Sequence, residues 1–574
     1  MLDGMKGGST SILQPCATCG AESTFRCSGC RILHYCSKEH QKLDWKAGHR
    51  ANCKPFLIQT SEVLGRHLVS TRDLNPGSLI IAEEPLVVAP KQWTPPVCLG
   101  CFAPVGPGSP TCHKCGWPMC CAECSSSPGH EAECYYTNLR RIDNERKGDH
   151  SDAWKVAIRE YSYCHPLYHS VSLLRCLFLR DHKVNHWNRF INLESHREAR
   201  SQRHMSGEDN DEEKVVRFTI SFFCLKETDA DDLRKIFGIL LVNAHEIPRS
   251  TSETSGPYFL AVYDYASMLE HSCVANCTKR FSHLGGIEVR TTTVVTKGSK
   301  LSISYTDPLW GTIDRRKHLS LSKYFFCTCK RCEDPTELGT FIGAIKCRAC
   351  QQGYCVPVRT EENCKEIEKL SSYEWICFGK PVPEASRKEG CGYTISFDQA
   401  MEILEPIGQK LSSLEPENLG ATQHFIRLYS GIVLHRNHHY MTEARLGLMK
   451  ALKQRMPVFE EYPQSKESPE AKLLELTCHE LLDVVEKMCP GMTEMRGILL
   501  YELNSKYITR LLDKKGKALY SQNISEKRLN IFREAVTTLL NCGSNPASAM
   551  MAEKGRQLLN CIDELRNYSP VLQK

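Results

Sequence analysis

Four segments, NAHEI (243–247), YDYASMLEHSCVANC (263–277), IEVRTTTVVTKGSKLSISYTD (287–307) and RRKHLSLSKYFFCTCKRC (315–332), follow one another in the middle of the chain. Side chains alternate in strand fashion through IEVRTTTVV and LSISY, and Lys297-Gly298 separates the two runs. That pattern predicts a β-rich core. The last segment ends in Cys327-x-Cys329-x-x-Cys332, three thiols close enough in sequence to share one ion.

The 574 residues suggest about four structural units at roughly 150 residues each. With 41% hydrophobic and 24% charged residues, wholesale disorder is excluded. Lys and Arg number 73 against 67 Asp and Glu, and the resulting +6 is too dilute to argue for nucleic acid. No direct nucleic-acid contact is expected. The opening MLDGMKGGSTSILQP lacks the apolar core of a secretory signal, and no apolar run approaches a membrane span. The expectation is a soluble protein of the cytoplasm and/or nucleus, with no membrane contact.

Thirty-two cysteines carry most of the information. Fourteen lie at or before Cys134, nine between Cys327 and Cys391, and only four after Gly392. In a reduced compartment, C-x-x-C pairs with interspersed histidines are what Zn²⁺ requires, because thiolates and imidazoles hold it tetrahedrally. The first cluster is Cys16, Cys19, Cys27, Cys30, Cys36, His40, His49 and Cys53, eight donors for two sites. The second repeats it with Cys98, Cys101, Cys112, Cys115, Cys120, Cys124, His130 and Cys134, and Cys121 rivals Cys120. A further set opens at Cys347-x-x-Cys350 and is completed by Cys377 and Cys391, with Cys355 and Cys364 as alternatives. It resembles a zinc ribbon with FGKPVPEASRKEG inserted.

The text HYCSKEHQKLDWKAGHRANC (34–53) resembles a MYND finger, an interleaved double-zinc module that generally binds protein partners. The resemblance assigns Cys16, Cys19, Cys36 and His40 to one ion, and Cys27, Cys30, His49 and Cys53 to the other. Between the clusters, LGRHLVSTRDLNPGSLIIAEEPLVVAP (64–90) reads as strand, turn, strand about Asn75-Pro76-Gly77. It resembles the opening of a SET domain, whose Gly-x-Gly loop approaches S-adenosylmethionine. Here the loop is Gly65-Arg66-His67, and a side chain replaces the second glycine. In SET proteins of the SMYD family a MYND finger is inserted just after this point, where the second cluster stands. The first cluster is then an extra module, similar to the arthropod SmydA or msta-like branch.

The four central segments match the second half of a SMYD-type SET domain in order and spacing. The resemblance implies transfer of a methyl group from S-adenosylmethionine to a lysine of a protein substrate. It makes Tyr305 the catalytic tyrosine and Tyr324 the second channel tyrosine, with Phe326 walling the cofactor pocket. Asn243 and His271 would contact the cofactor beside Gly65, Arg66, His67 and Tyr305. Glu270 replaces the Asn of the family's N-H-S-C motif. Its carboxylate would either engage the cofactor's ammonium or repel its carboxylate. Cys327, Cys329 and Cys332 resemble the post-SET zinc loop, with Cys273 as the distant fourth ligand and Cys277 as its competitor.

Elsewhere, LRRIDNERKGDH, DAWKVAIREYSYC, SLLRCLFLR and DLRKIFGILLVNA read as helices, and HREARSQRHMSGEDNDEEK as a solvated loop. After Gly392 the chain turns helical, including HFIRLYSGIVLHR, and resembles the family's tetratricopeptide-like end. The organisation expected is an α+β multidomain protein. A MYND finger at 14–55 precedes a SET part at 56–96, an inserted finger at 97–136 and a helical insert at 137–240. The SET core resumes at 241–315, followed by a post-SET loop at 316–335, a ribbon at 340–395 and a helical domain at 396–574. The function expected is S-adenosylmethionine-dependent protein-lysine methylation. The alternative is a SET-fold adaptor that recruits partners through its fingers and helices.

Overall fold

The computed structural model describes residues 15–568 apart from 24, 31, 51–52, 63, 92–93, 206–210, 248–258, 283–284, 361–371, 380–389, 456–467, 511–524 and 545. Cys364 and most of the ribbon insertion lie outside the described residues. Strand β1 (Phe25–Arg26) pairs antiparallel with β2 (His34–Tyr35), and helix α1 (Lys38–Asp44) follows. The Ser37 hydroxyl caps α1 by accepting from the His40 N–H. This first finger has a small apolar centre of Cys16, Cys27, Cys30 and Tyr35. So little apolar surface cannot hold a fold without added cross-links.

A split β core comes next. Strand β3 (Phe56–Ser61) forms a hairpin with β4 (Gly65–Ser70), and β5 (Leu79–Glu83) and β6 (Val87–Pro90) follow. The turn signal at Asn75-Pro76-Gly77 does separate strands. Gly77 adopts φ 80°, a backbone suited to glycine, and donates its N–H to Thr291 O at 2.8 Å. The second finger then carries helix α2 (Ala122–Ser125) and runs into α3 (Glu131–Arg146). Four more helices lead on: α4 (Pro166–His182), α5 (Val184–Phe190), α6 (Arg197–Met205) and α7 (Asp211–Phe223), before α8 (Ala230–Asn243). Unlike the first finger, the second is absorbed: Cys98, Cys112, Cys115, Trp117 and Met119 share one continuous core with Tyr168, Leu174 and Ile236.

The core resumes with β7 (His245–Ile247), β8 (Phe259–Val262), β9 (Glu270–His271), β10 (Cys277–Phe281), β11 (Ile287–Thr291) and β12 (Ser302–Ile303). Two sheets tie the halves together, in the orders β10-β11-β5 and β6-β8-β7, and within the second half β12 runs parallel to β9. A bridge between Val69 and Lys300 joins β4 to the chain entering β12. Leu68, Ile80, Ile81, Val289, Leu301 and Ile303 bury between them. Helices α9 (Thr312–Lys323) and α10 (Lys330–Glu333) close this part.

A four-stranded sheet follows, in the order β13 (Ile345–Lys346), β14 (Tyr354–Arg359), β15 (Tyr373–Cys377), β16 (Thr394–Ser396). Trp375 is buried against helix α11 (Phe397–Ser412) and its neighbours. Six further helices complete the chain: α12 (Leu419–Tyr429), α13 (His439–Arg455), α14 (Pro469–Met488), α15 (Glu494–Arg510), α16 (Glu526–Cys542) and α17 (Pro546–Tyr568). From α12 onward, successive helices pack on one another. The α+β multidomain organisation is observed. Among the described residues, no helix is long and apolar enough to cross a membrane.

Three sequence expectations need correction. DAWKVAIREYSYC forms only a 3-10 turn at Asp152–Trp154 and then runs without regular structure. Val156 there donates its N–H to Cys115 O at 2.9 Å, so a tertiary backbone bond to the second finger replaces a helical one. HREARSQRHMSGEDNDEEK is helical at both ends, in α6 and α7, because buried Arg200 pairs with Glu212 between them. HFIRLYSGIVLHR stops being helical at Tyr429; Leu434 beyond it bridges Ile345 of the ribbon sheet.

Candidate functional site

The cysteine clusters assemble into compact quartets. Cys16, Cys19, Cys36 and His40 form one, and Cys27, Cys30, His49 and Cys53 the next. Cys98, Cys101, Cys120 and Cys124 form a third, Cys112, Cys115, His130 and Cys134 a fourth, and Cys273, Cys327, Cys329 and Cys332 a fifth. In each, the donor atoms lie within 4.8 Å of one another. Zn–S bonds of about 2.3 Å place tetrahedral sulfurs about 3.8 Å apart, whereas a disulfide needs about 2.05 Å. The observed separations are 3.6 Å for Cys19–Cys36, 3.7 Å for Cys112–Cys134 and 3.5 Å for Cys273–Cys332. Zinc is the ion these sets fit.

The ribbon thiols also converge, with Cys347 3.6 Å from Cys391 and Cys350 3.9 Å from Cys377. Cys355 stands beside them, opposite Cys377 in the β14–β15 pairing. Cys121 comes within 3.5 Å of Cys124, but the compact quartet contains Cys120. Cys277 is out of reach of the fifth quartet's role: its thiol faces Asn276 Oδ1 at 3.3 Å.

Two quartets have charged support that the sequence reading missed. In the second finger, His130 Nδ1 lies 3.5 Å from Glu133 Oε2, and Glu133 Oε1 accepts from Arg175 Nε at 2.5 Å. Burial alone would raise the Glu133 carboxyl, but Arg175 and His130 hold it below the usual range. Arg175 also donates to the carbonyls of Val88, Leu99 and Gly129 at 2.6–2.8 Å. In the fifth quartet, Arg315 donates to Cys273 Sγ at 3.2 Å and to Cys332 Sγ at 3.3 Å. Glu337 sits fully buried between Arg315 and Arg331, at 2.8 and 2.9 Å.

The fifth quartet borders the predicted pocket. Tyr305 follows β12; its N–H donates to His271 Nδ1 at 3.0 Å and its hydroxyl to Leu269 O. The Tyr305 and His271 rings lie 5.4 Å apart, and His271 Nε2 reaches Cys273 Sγ at 3.2 Å. Burial pushes His271 down to about 4, and Arg315 and Arg331 act in the same direction. Burial also raises the Tyr305 phenol, with the Glu270 charge adding to it. Glu270 Oε1 is buried without a hydrogen-bond partner; burial raises its carboxyl while Lys300 and His67 pull it back.

The remaining predicted residues divide. Gly65 adopts φ 62° at the β3–β4 turn, Arg66 donates to Asn192 O, and buried His67 has Nδ1 3.1 Å from Gly65 O. The bridge of Val69 with Lys300 sets His67 across from Ser302, and Ser302 pairs with Glu270. His67 and Glu270 therefore stand in one row, one strand apart. Asn243 ends α8, its amide donating to Glu194 O at 2.7 Å and Ile239 O at 2.9 Å. Tyr324 takes a left-handed φ of 59° at the end of α9, its ring 5.4 Å from His196. The Phe326 ring lies between the Arg316 and Arg359 guanidinium groups, at 4.3 and 5.2 Å. The ring that faces His271, at 5.9 Å, is Phe325.

The MYND finger family model matches residues 16–53, the first finger. That segment is also similar to programmed cell death protein 2 of Bos taurus, 55% identical over 38 residues, 7% of this chain and 11% of that one. A longer similarity is to the SET domain-containing protein SmydA-8, isoform A, of Drosophila melanogaster: 28% identity over 322 residues, covering 53% of this chain and 62% of the relative. The chain thus resembles SET and MYND proteins of the SMYD type. Histone-lysine N-methyltransferase ASHR1 of Arabidopsis thaliana is 24% identical over 273 residues, 47% of this chain and 53% of that one. The chain thus spans little more than half the length of these SET relatives. A solved structure of Rubisco LSMT bound to AdoMet aligns over 93% of this chain and 96% of its own, at 12% identity and a TM-score of 0.24.

Proposed function

We propose that this protein is an S-adenosylmethionine-dependent protein-lysine methyltransferase, acting on histone or other protein substrates and contributing to transcriptional regulation. The observation that carries the reading is Tyr305, fixed by its N–H on His271 and its hydroxyl on Leu269 O, beside a zinc quartet contributed by the same segment as His271. When bound, S-adenosylmethionine supplies an electrophilic methyl group. Tyr305 donates to a carbonyl, so its oxygen keeps lone pairs for the substrate amine and positions it. Glu270 Oε1, buried without a partner, suits the cofactor's ammonium. Lys300, whose charge acts on Glu270, suits its carboxylate, with buried His67 in the same row. The two departures from the family motif thereby answer one another across Ser302. The fingers supply partner binding.

Calorimetric titration with S-adenosylmethionine, together with radiolabelled methyl transfer to a mixed protein extract, tests the reading. Wild type should bind and transfer; Tyr305→Phe should keep the fold and lose about 10²–10³ in rate. Glu270→Asn should weaken binding by about tenfold, since the ammonium loses a charged acceptor. Absence of binding in both wild type and Glu270→Asn would favour the adaptor reading. One observation supports that second reading: the Asn243 amide is already engaged by Glu194 O and Ile239 O.

A further inference from the structure

Helix α9 ends at Lys323, and the left-handed Tyr324 turns the chain there. The Lys323 side chain is directed inward. Its Nζ donates to Val242 O, near the C-terminal end of α8, at 2.5 Å and lies 5.7 Å from the centroid of the Tyr305 ring. A helix-end carbonyl and an aromatic face are both attractive to an ammonium. They are also the kind of groups that a channel for a substrate lysine would offer. Lys279 of β10 approaches the same region, its Nζ 3.2 Å from His245 Nδ1.

The state of the amine agrees with this placement. Burial, reinforced by the Lys279 charge and opposed by Glu246, brings Lys323 down to about 8. Burial brings Lys279 to about 8 as well, again opposed by Glu246. An amine at such a value presents a lone pair in a far larger fraction of molecules than an exposed lysine does.

Resting on the methyltransferase reading, we propose that Lys323 is itself a methyl acceptor, occupying from inside the place beside Tyr305 that a substrate lysine would take. The Lys323 ammonium first gives one proton to solvent. Its nitrogen lone pair then forms the new N–C bond to the cofactor's methyl carbon as the C–S bond breaks. That electron pair stays on sulfur, leaving neutral S-adenosylhomocysteine and a positively charged methylammonium on Lys323.

The test uses the full chain incubated alone with methyl-labelled S-adenosylmethionine at several protein concentrations, followed by peptide mass spectrometry. Label should appear on Lys323 at a rate independent of protein concentration, and Lys323→Arg should remove it. A second readout needs no turnover. Lys323→Met removes a positive charge beside the sulfonium, so it should tighten S-adenosylmethionine by about tenfold while neutral S-adenosylhomocysteine stays within about twofold. Lys323→Arg, which keeps the charge, should bind both as wild type does. If wild type binds the cofactor and methylates extract proteins, but Lys323 stays unlabelled and the affinity ratio does not move, the inference is wrong and the methyltransferase reading stands. Label on Lys279 instead would also overturn it. If wild type binds neither compound, the methyltransferase reading fails and takes this inference with it.

Discussion

The two fingers repeat one donor pattern and use it differently. Their last ligand pairs read HRANC (49–53) and HEAEC (130–134), so Asn52 stands where the second finger has Glu133. Glu133 backs the zinc histidine, and Arg175 connects it to carbonyls of β6 and of the second finger itself. Such a carboxylate fixes the imidazole and raises its basicity. The first finger instead has Tyr35 donating to Asp44 at 2.5 Å within the module, and Lys54 just after it donating to Tyr265 at 2.7 Å. Two eight-donor sets of similar spacing, differing in His40 against Cys124, can therefore fold a module of its own or anchor a domain, depending on what stands behind the second histidine.

The comparison can be broken most severely at the ligands. Cys115→Ser should lower the main thermal transition by more than about 10 °C, because a zinc site inside the large core contributes several kcal/mol to folding. Cys27→Ser should lose metal yet leave that transition in place. Elemental analysis, expected to report about six zinc ions in wild type, follows the loss. Equal thermal shifts in the two variants would erase the distinction between the fingers.

Arg175→Ala should cost about 3–5 kcal/mol in denaturant unfolding, since it strands the buried Glu133 charge. Milder is Glu133→Asn, which gives the second finger the residue of the first. It should lower zinc affinity there by about 10–100-fold in chelator competition, with little change in the first finger. The smallest effect expected is Tyr35→Phe, about 1 kcal/mol and confined to zinc release from the first finger. A shift of the global transition by that variant would show the first finger to be built into the body after all.

Spacing made the zinc donors legible, because C-x-x-C pairs announce themselves wherever the chain later goes, and the resemblance to a MYND finger and a post-SET loop sorted them into quartets. The strand-turn-strand about Gly77 was legible for a similar reason: its cause is local. Arg175 and Glu133 are 42 residues apart, and Arg315 and Glu337 are 22 apart. Nothing near either member marks it as a partner. DAWKVAIREYSYC carried a helical pattern, but Val156 bonds to Cys115 instead, and tertiary contact prevailed over periodicity. At the pocket, motif order brought His271, Tyr305 and Glu270 together. The structure adds that Phe325 faces His271 and that a lysine of the same motif lies over Tyr305.

The Arg315 contacts to Cys273 and Cys332 bear on how the protein would meet oxidants. A thiolate that accepts charged hydrogen bonds is a weaker nucleophile, and Cys273 is wholly buried. In the first finger Cys19 is exposed and Cys36 partly so. Peroxide or alkylating agents should consume the finger sulfurs first and reach the quartet beside Tyr305 last. Under oxidative load, the first finger would then give up its metal while the quartet beside Tyr305 was still intact.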